Sequence, residues 1–95
     1  MRDLTVEKFA AHLNDTFTVI HPTSGAELVL IEAVSVPGGQ PDGRRPFALL
    51  FHGPLAPLLP QATYRFEHSG FSALDIFIVP VGPDGDRMQY EAIFA

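Results

Sequence analysis

The sequence predicts a mainly β fold of the α+β kind: a small curled antiparallel sheet or a six-stranded β-barrel, with one N-terminal helix. Three observations carry this. Apolar spacing near 3.6 residues is confined to the positions before Thr16. From Thr16 onward six short stretches alternate or run apolar, each bounded by Gly, Pro, Asn or Asp. The connections are mostly short turns, which suits an antiparallel meander, and a sheet of that size curls to bury one face and hide its edges. A two-sheet sandwich is the alternative arrangement of the same strands.

The helix is predicted over residues 5–13. Thr5 is a good N-cap, because its hydroxyl can accept from a first-turn N–H. Leu4 before it and Phe9 at the fourth helical position are placed for a hydrophobic staple. Val6, Phe9 and Leu13 share one face, and Asn14 and Asp15 end the pattern. A helix with so narrow an apolar face is marginal alone, so it is expected to cover one end of the sheet.

The first strand, 16–21, puts Phe17 and Val19 on one face. "PTSG" is a turn by composition. The second, 26–36, is apolar on both faces near Val29 to Ile31, which calls for cover on both sides or a strong bend. The polar stretch "PGGQPDGRRP" that follows reads as a long surface loop, since the residues before it are too few for a core of their own. The third strand, 46–52, aligns Phe47, Leu49 and Phe51. The fourth, 62–68, alternates most cleanly, with Tyr64 and Phe66 on one side and Thr63, Arg65 and Glu67 on the other. The fifth, 72–80, contains Pro80, which cannot donate to a ladder and so marks an edge or an end. "GPDGDR" carries an Asp-Gly turn signal. The sixth, 88–94, aligns Tyr90, Ala92 and Phe94.

Composition narrows the function classes. The chain has 95 residues, 46% of them hydrophobic, with eight phenylalanines. One domain of this length buries roughly 60–65% of the surface its unfolded chain exposes, enough for a single thin core. Cysteine is absent, which excludes disulfides and thiolate metal sites. Eleven acids against six bases give a net charge of −5, the wrong sign for a nucleic-acid surface. No apolar run suits a membrane span and no signal-peptide pattern opens the chain, so the expected location is cytoplasmic, with later incorporation into an assembly compatible with it.

No catalytic constellation stands out. His12, His21, His52 and His68 show none of the close spacings of metal pairs, so no metal and no cofactor are expected. His52 and His68 flank the third and fourth strands, which would be neighbours in a meander. With Arg65 and Asp75 they form the polar set an alternative ligand-binding or hydrolytic barrel mouth would use. An open metal site would need Asp75 or Glu67 to join the two histidines, since such a site normally takes three protein ligands. Asp75 interrupts an apolar strand, and the plainer reading is that it meets solvent.

The strongest local clue is "HGPLAPLLPQ". Prolines 54, 57 and 60 fix φ and limit how tightly this loop coils back. Leu55, Leu58 and Leu59 therefore cannot all reach one small core. At least one, Leu55 or Leu58, is expected to stay exposed and to meet another protein or a second copy, with Arg65 and Glu67 as the polar rim.

The combination "FALLFHGP", "LPQATYRFEH" and "LDIFIVPVGPDGDRMQYEAIF", across residues 47–94, resembles a family of small bacterial domains of unknown function. Members are often encoded near phage-tail-collar or tail-fibre-like proteins. The resemblance implies a shared fold and a structural or accessory role, and it assigns no catalytic residues. The sequence thus predicts a non-enzymatic interaction module, linked through that resemblance to a tail-fibre-like assembly.

Overall fold

A computed structural model describes residues 5–20, 25–37 and 45–94. The staple residue Leu4, His21 and most of the "PTSG" and "PGGQPDGRRP" stretches lie outside the described residues. The elements are α1 (Val6–Ala10), β1 (Thr16–Ile20), β2 (Gly25–Ser35), β3 (Phe47–Pro54), β4 (Ala62–His68), β5 (Phe71–Asp84) and β6 (Arg87–Phe94). The strands are antiparallel throughout and lie in the order β1-β2-β3-β6-β5-β4, with β4 pairing back onto β1. The sheet curls into a closed ring with one short helix, as the sequence predicts.

The strand order corrects the meander. β3 and β4 follow one another in the chain but sit on opposite sides of the ring, because β3 pairs with β2 and β6 while β4 pairs with β1 and β5. The proline loop is therefore not a hairpin. It crosses one end of the ring.

Alternation fills the interior. Phe17, Leu28, Leu30, Phe51, Phe66 and Ile78 are among the inward side chains with almost no exposure. Among the described residues the pairing register shifts at three places, between Phe66 and His68 in β4 and at two others that account for features of the sequence. In β2 the register shifts between Leu30 and Glu32, so Leu28 and Leu30 point inward before it while Ala33 packs against the core after it. This bend accounts for the apolar residues on both faces. In β5 the register shifts between Pro80 and Gly82, and the strand runs on to Asp84. Pro80 neither ends β5 nor leaves it at an edge; the bulge beside it takes up its missing donor. The β5–β6 turn follows the Asp-Gly signal, with Gly85 at φ 65, a left-handed value that a side chain strains to adopt.

The helix is shorter than its apolar spacing suggests. Thr5 Oγ1 caps it by accepting from Lys8 N–H at 3.3 Å. After Ala10 the chain tightens, with His12 N–H donating to Phe9 O at 2.8 Å, and Asn14 then takes φ 70. The turn of Leu13 away from the helical face leaves it exposed, a correction to its place on the buried face. Phe9 is the buried centre of the docking, with half-buried Val6 packed against the same core. Phe9 is fully buried, and its ring centroid lies 5.0 Å from Phe71 and 5.8 Å from both Phe47 and Phe94. Asn14 N–H donates to Leu30 O and Leu30 N–H to Asp15 O, at 2.7 and 3.0 Å, tying the end of this segment to β2. Thus α1 plugs the end of the ring where β3 and β5 begin and β6 finishes.

No helix among the described residues is long and apolar enough to cross a membrane.

Candidate functional site

The proline loop closes the end of the ring opposite α1. Leu59 turns inward and is 2% exposed, while Leu55 and Leu58 are 43% and 50% exposed. The prolines explain the split: φ is fixed at three positions, so the chain delivers one leucine to the core and leaves the others outside. Two hydrogen bonds hold this pose. Leu59 N–H donates to the Tyr90 hydroxyl at 3.0 Å, and the Tyr64 hydroxyl donates to Pro60 O at 2.7 Å. Burial, and then the neighbouring Tyr90 phenol, push the Tyr64 phenol up from its usual value. The Tyr64 phenol therefore remains a neutral donor to Pro60 O at physiological pH.

The expected polar rim is elsewhere. Arg65 and Glu67 pair with each other on the outer face of β4, Nε to Oε2 at 3.7 Å, and Glu67 lies toward the α1 end. Such an exposed pair contributes little. The charges nearest the start of the loop come from the β5–β6 hairpin: Arg87 is in register with both Pro54 and Asp84. His52 Nε2 lies 3.8 Å from Asp84 Oδ2 at this same end.

His52, His68 and Asp75 do not converge. His52 and His68 stand on opposite sides and toward opposite ends of the ring, because β3 and β4 are not neighbours. Asp75 faces solvent on β5, in register with Arg65. The interior between them is packed with hydrophobic side chains, so no barrel mouth gathers this set.

A different cluster forms at the α1 end. Asp15 Oδ2 lies 3.0 Å from His12 Nδ1 and 2.9 Å from His68 Nε2. The His68 ring packs against Phe17 at 4.6 Å and edge-on to His12 at 4.9 Å. Gly70 N–H donates to His68 Nδ1 at 2.8 Å. That bond decides the tautomer: Nδ1 accepts, so neutral His68 carries its proton on Nε2 and donates it to Asp15. A Cβ at Gly70 would lie 2.9 Å from His12 Cε1, so a side chain there would push the His12 ring aside. Beside the cluster is a shallow open depression of about 400 Å³ lined by Thr18, Glu67, His68, Ser69, Phe71 and Ala73.

One potential ligand atom from each of His12, Asp15 and His68 lies within 4.8 Å of the others. The second partner of His68 argues against a metal there. A histidine that ligates through Nε2 donates its other ring N–H, and Gly70 already donates to that nitrogen. The cluster is a hydrogen-bonded clasp between the end of α1 and β4. Adding zinc should leave the melting temperature nearly unchanged, whereas a native-state ligand at a hundredfold its dissociation constant would add about 2.7 kcal/mol of stability. A thermal shift abolished by His68→Ala would overturn that.

The clasp also sets a pH dependence. The hydrogen bond from His12, then that from His68, hold the Asp15 carboxyl below its usual value against a smaller opposing effect of burial. A carboxyl depressed on folding contributes stability above its unfolded value of 3.8 and loses it as pH falls through the lower folded value. Melting temperatures of the wild type should therefore fall more steeply below about pH 4 than those of Asp15→Asn. Parallel acid limbs would show that Asp15 is not the group responsible.

Sequence reasoning missed this clasp. The only local signal is the three-residue spacing of His12 and Asp15 at a helix end; the partner His68 is 53 residues away.

A family model described as a domain of unknown function, DUF6916, matches residues 4–94. No curated protein and no solved structure matches the chain.

Proposed function

This chain belongs to the DUF6916 family, and we propose that it is a non-enzymatic interaction module that docks on another protein through Leu55 and Leu58. The single observation behind this reading is the split within the proline loop: Leu59 is spent on the core while Leu55 and Leu58 are held outside it by a backbone anchored at Tyr90 and Tyr64. A loop stiffened in this way loses less entropy on binding than a flexible one. Leu55 and Leu58 are exposed on a loop that leaves β3 at Pro54, in register with Arg87 of the charged β5–β6 hairpin, and an apolar patch with a polar border is the usual layout of a docking site. The packed interior leaves the outer surface as the place where a partner is met. That the assembly is tail-fibre-like rests on the resemblance of residues 47–94 alone.

The test is the paired substitution Leu55→Asp and Leu58→Asp. Folding should change by no more than about 0.5 kcal/mol per site, as at other surface positions. Capture of the partner from the native host should weaken by more than about 1 kcal/mol, the level that marks an anchor. Undiminished capture, or a variant that unfolds, would contradict the proposal.

A further inference from the structure

Outside the ring, on the wall formed by β2, β3 and β6, Val34, Ala48 and Ile93 stand side by side in register. Every other outward row of paired strand residues described includes a polar or charged side chain, or proline or glycine, such as Glu27–Thr18–Glu67, Ile20–Arg65–Asp75 and Val29–His52–Gln89. This row includes none. Val34 and Ile93 are 48% and 56% exposed, and Ile93 is the most exposed large hydrophobic side chain described. Phe77, 49% exposed, extends the row: it lies two residues along β5 from Val79, and Ile93 lies two residues along β6 from Glu91, the partner of Val79.

Among the described residues, the charges around this row are asymmetric. The next outward row toward the proline loop is Glu32–Leu50–Glu91, a half-buried leucine between two exposed acids. On the other side, three residues before Ala48, the chain carries exposed Arg45. Two copies stacked face to face about a two-fold axis lying across the strands reverse the strand direction. Arg45 of each copy then comes over the Glu32 and Glu91 end of the other, twice by symmetry, while the apolar rows meet in the middle. With the axis along the strands instead, like charges would face one another, and the pairing would be disfavoured.

We propose that this wall is a self-association surface: a second copy of the chain covers Val34, Ile93 and Phe77, with the already buried Ala48 between Val34 and Ile93, in a two-fold, strand-reversed dimer steered by Arg45 against Glu32 and Glu91. The surface is distinct from the proline loop, so both can be occupied together.

Sedimentation velocity on the full chain tests it, with three variants: Ile93→Glu, Arg45→Glu, and the double Glu32→Arg, Glu91→Arg. The wild type should dimerise. Ile93→Glu should weaken association at least about tenfold, the loss expected for a central anchor. Arg45→Glu and the double variant should each be mostly monomeric alone and should form a heterodimer when mixed, because the swap restores every opposite-charge contact. Leu58→Asp should remain dimeric, which separates this surface from the loop. A wild type that stays monomeric at about 1 mM, the weak end of specific association, would overturn the proposal. So would a dimer that survives Ile93→Glu, a mixture that stays monomeric, or a dimer lost in Leu58→Asp.

Discussion

Phe9→Ala should cost about 3–5 kcal/mol, the usual range for deleting a buried phenylalanine. The ring is fully buried among Phe47, Phe71 and Phe94, and it is the only helical side chain that is. Its removal leaves a cavity under a helix of five residues, which has no stability of its own to hold it in place. A domain of this size has roughly 5–15 kcal/mol in total, so the variant should lie near the edge of folding. Its melting temperature should drop by more than about 10 °C, since 1 kcal/mol is worth roughly 4–8 °C at this length. The clasp from Asp15 to His68 is too exposed to compensate. A midpoint close to that of the wild type would mean that α1 is a free arm and that the aromatic end of the ring closes without it.

Leu59→Ala should cost about 2–5 kcal/mol at the other end. Here the loss is more than a core contact. Leu59 is the point at which the proline loop enters the ring, and its N–H is satisfied by the Tyr90 hydroxyl. Tyr90→Phe provides the companion measurement. It keeps the ring volume and deletes the acceptor, leaving a buried N–H unpaired at a cost of about 1–3 kcal/mol. If the loop is anchored as described, both variants should also raise amide exchange across residues 55–61 before global unfolding. Loss of stability with no change in loop protection would separate the lid from the anchor and contradict the pose of Leu55 and Leu58.

The strands were largely legible because burial on one face imposes a period of two. β4 shows this best: Tyr64 and Phe66 are buried and Arg65 and Glu67 exposed, over Ala62–His68 as the alternation requires. The order of the strands was not legible. A loop between two apolar runs looks the same whether it turns a hairpin or crosses the ring, and the pairing of β3 with β6 depends on contacts between residues some forty positions apart. Pro80 misled for a related reason: the bulge that follows it is set by pairing with β6, and its one local mark is Gly82, whose φ of 120 a side chain rarely adopts. On the candidate site, proline geometry alone gave the expectation that Leu55 or Leu58 stays outside; that both do while Leu59 turns inward was not legible. Nor was the clasp of His12, Asp15 and His68, because it needs both the early end of the helix and the closure of β4 onto β1.

The central claim is that this small protein works from the outside of its proline loop. Photo-crosslinking in the native host tests it most directly, with a benzophenone side chain introduced at Leu58 in one variant and at Glu67, on the wall of the depression beside His68, in another. The account predicts a discrete protein adduct from position 58 and none from position 67. Adducts from 67 with none from 58 would contradict it and move the functional surface to the histidine end of the ring.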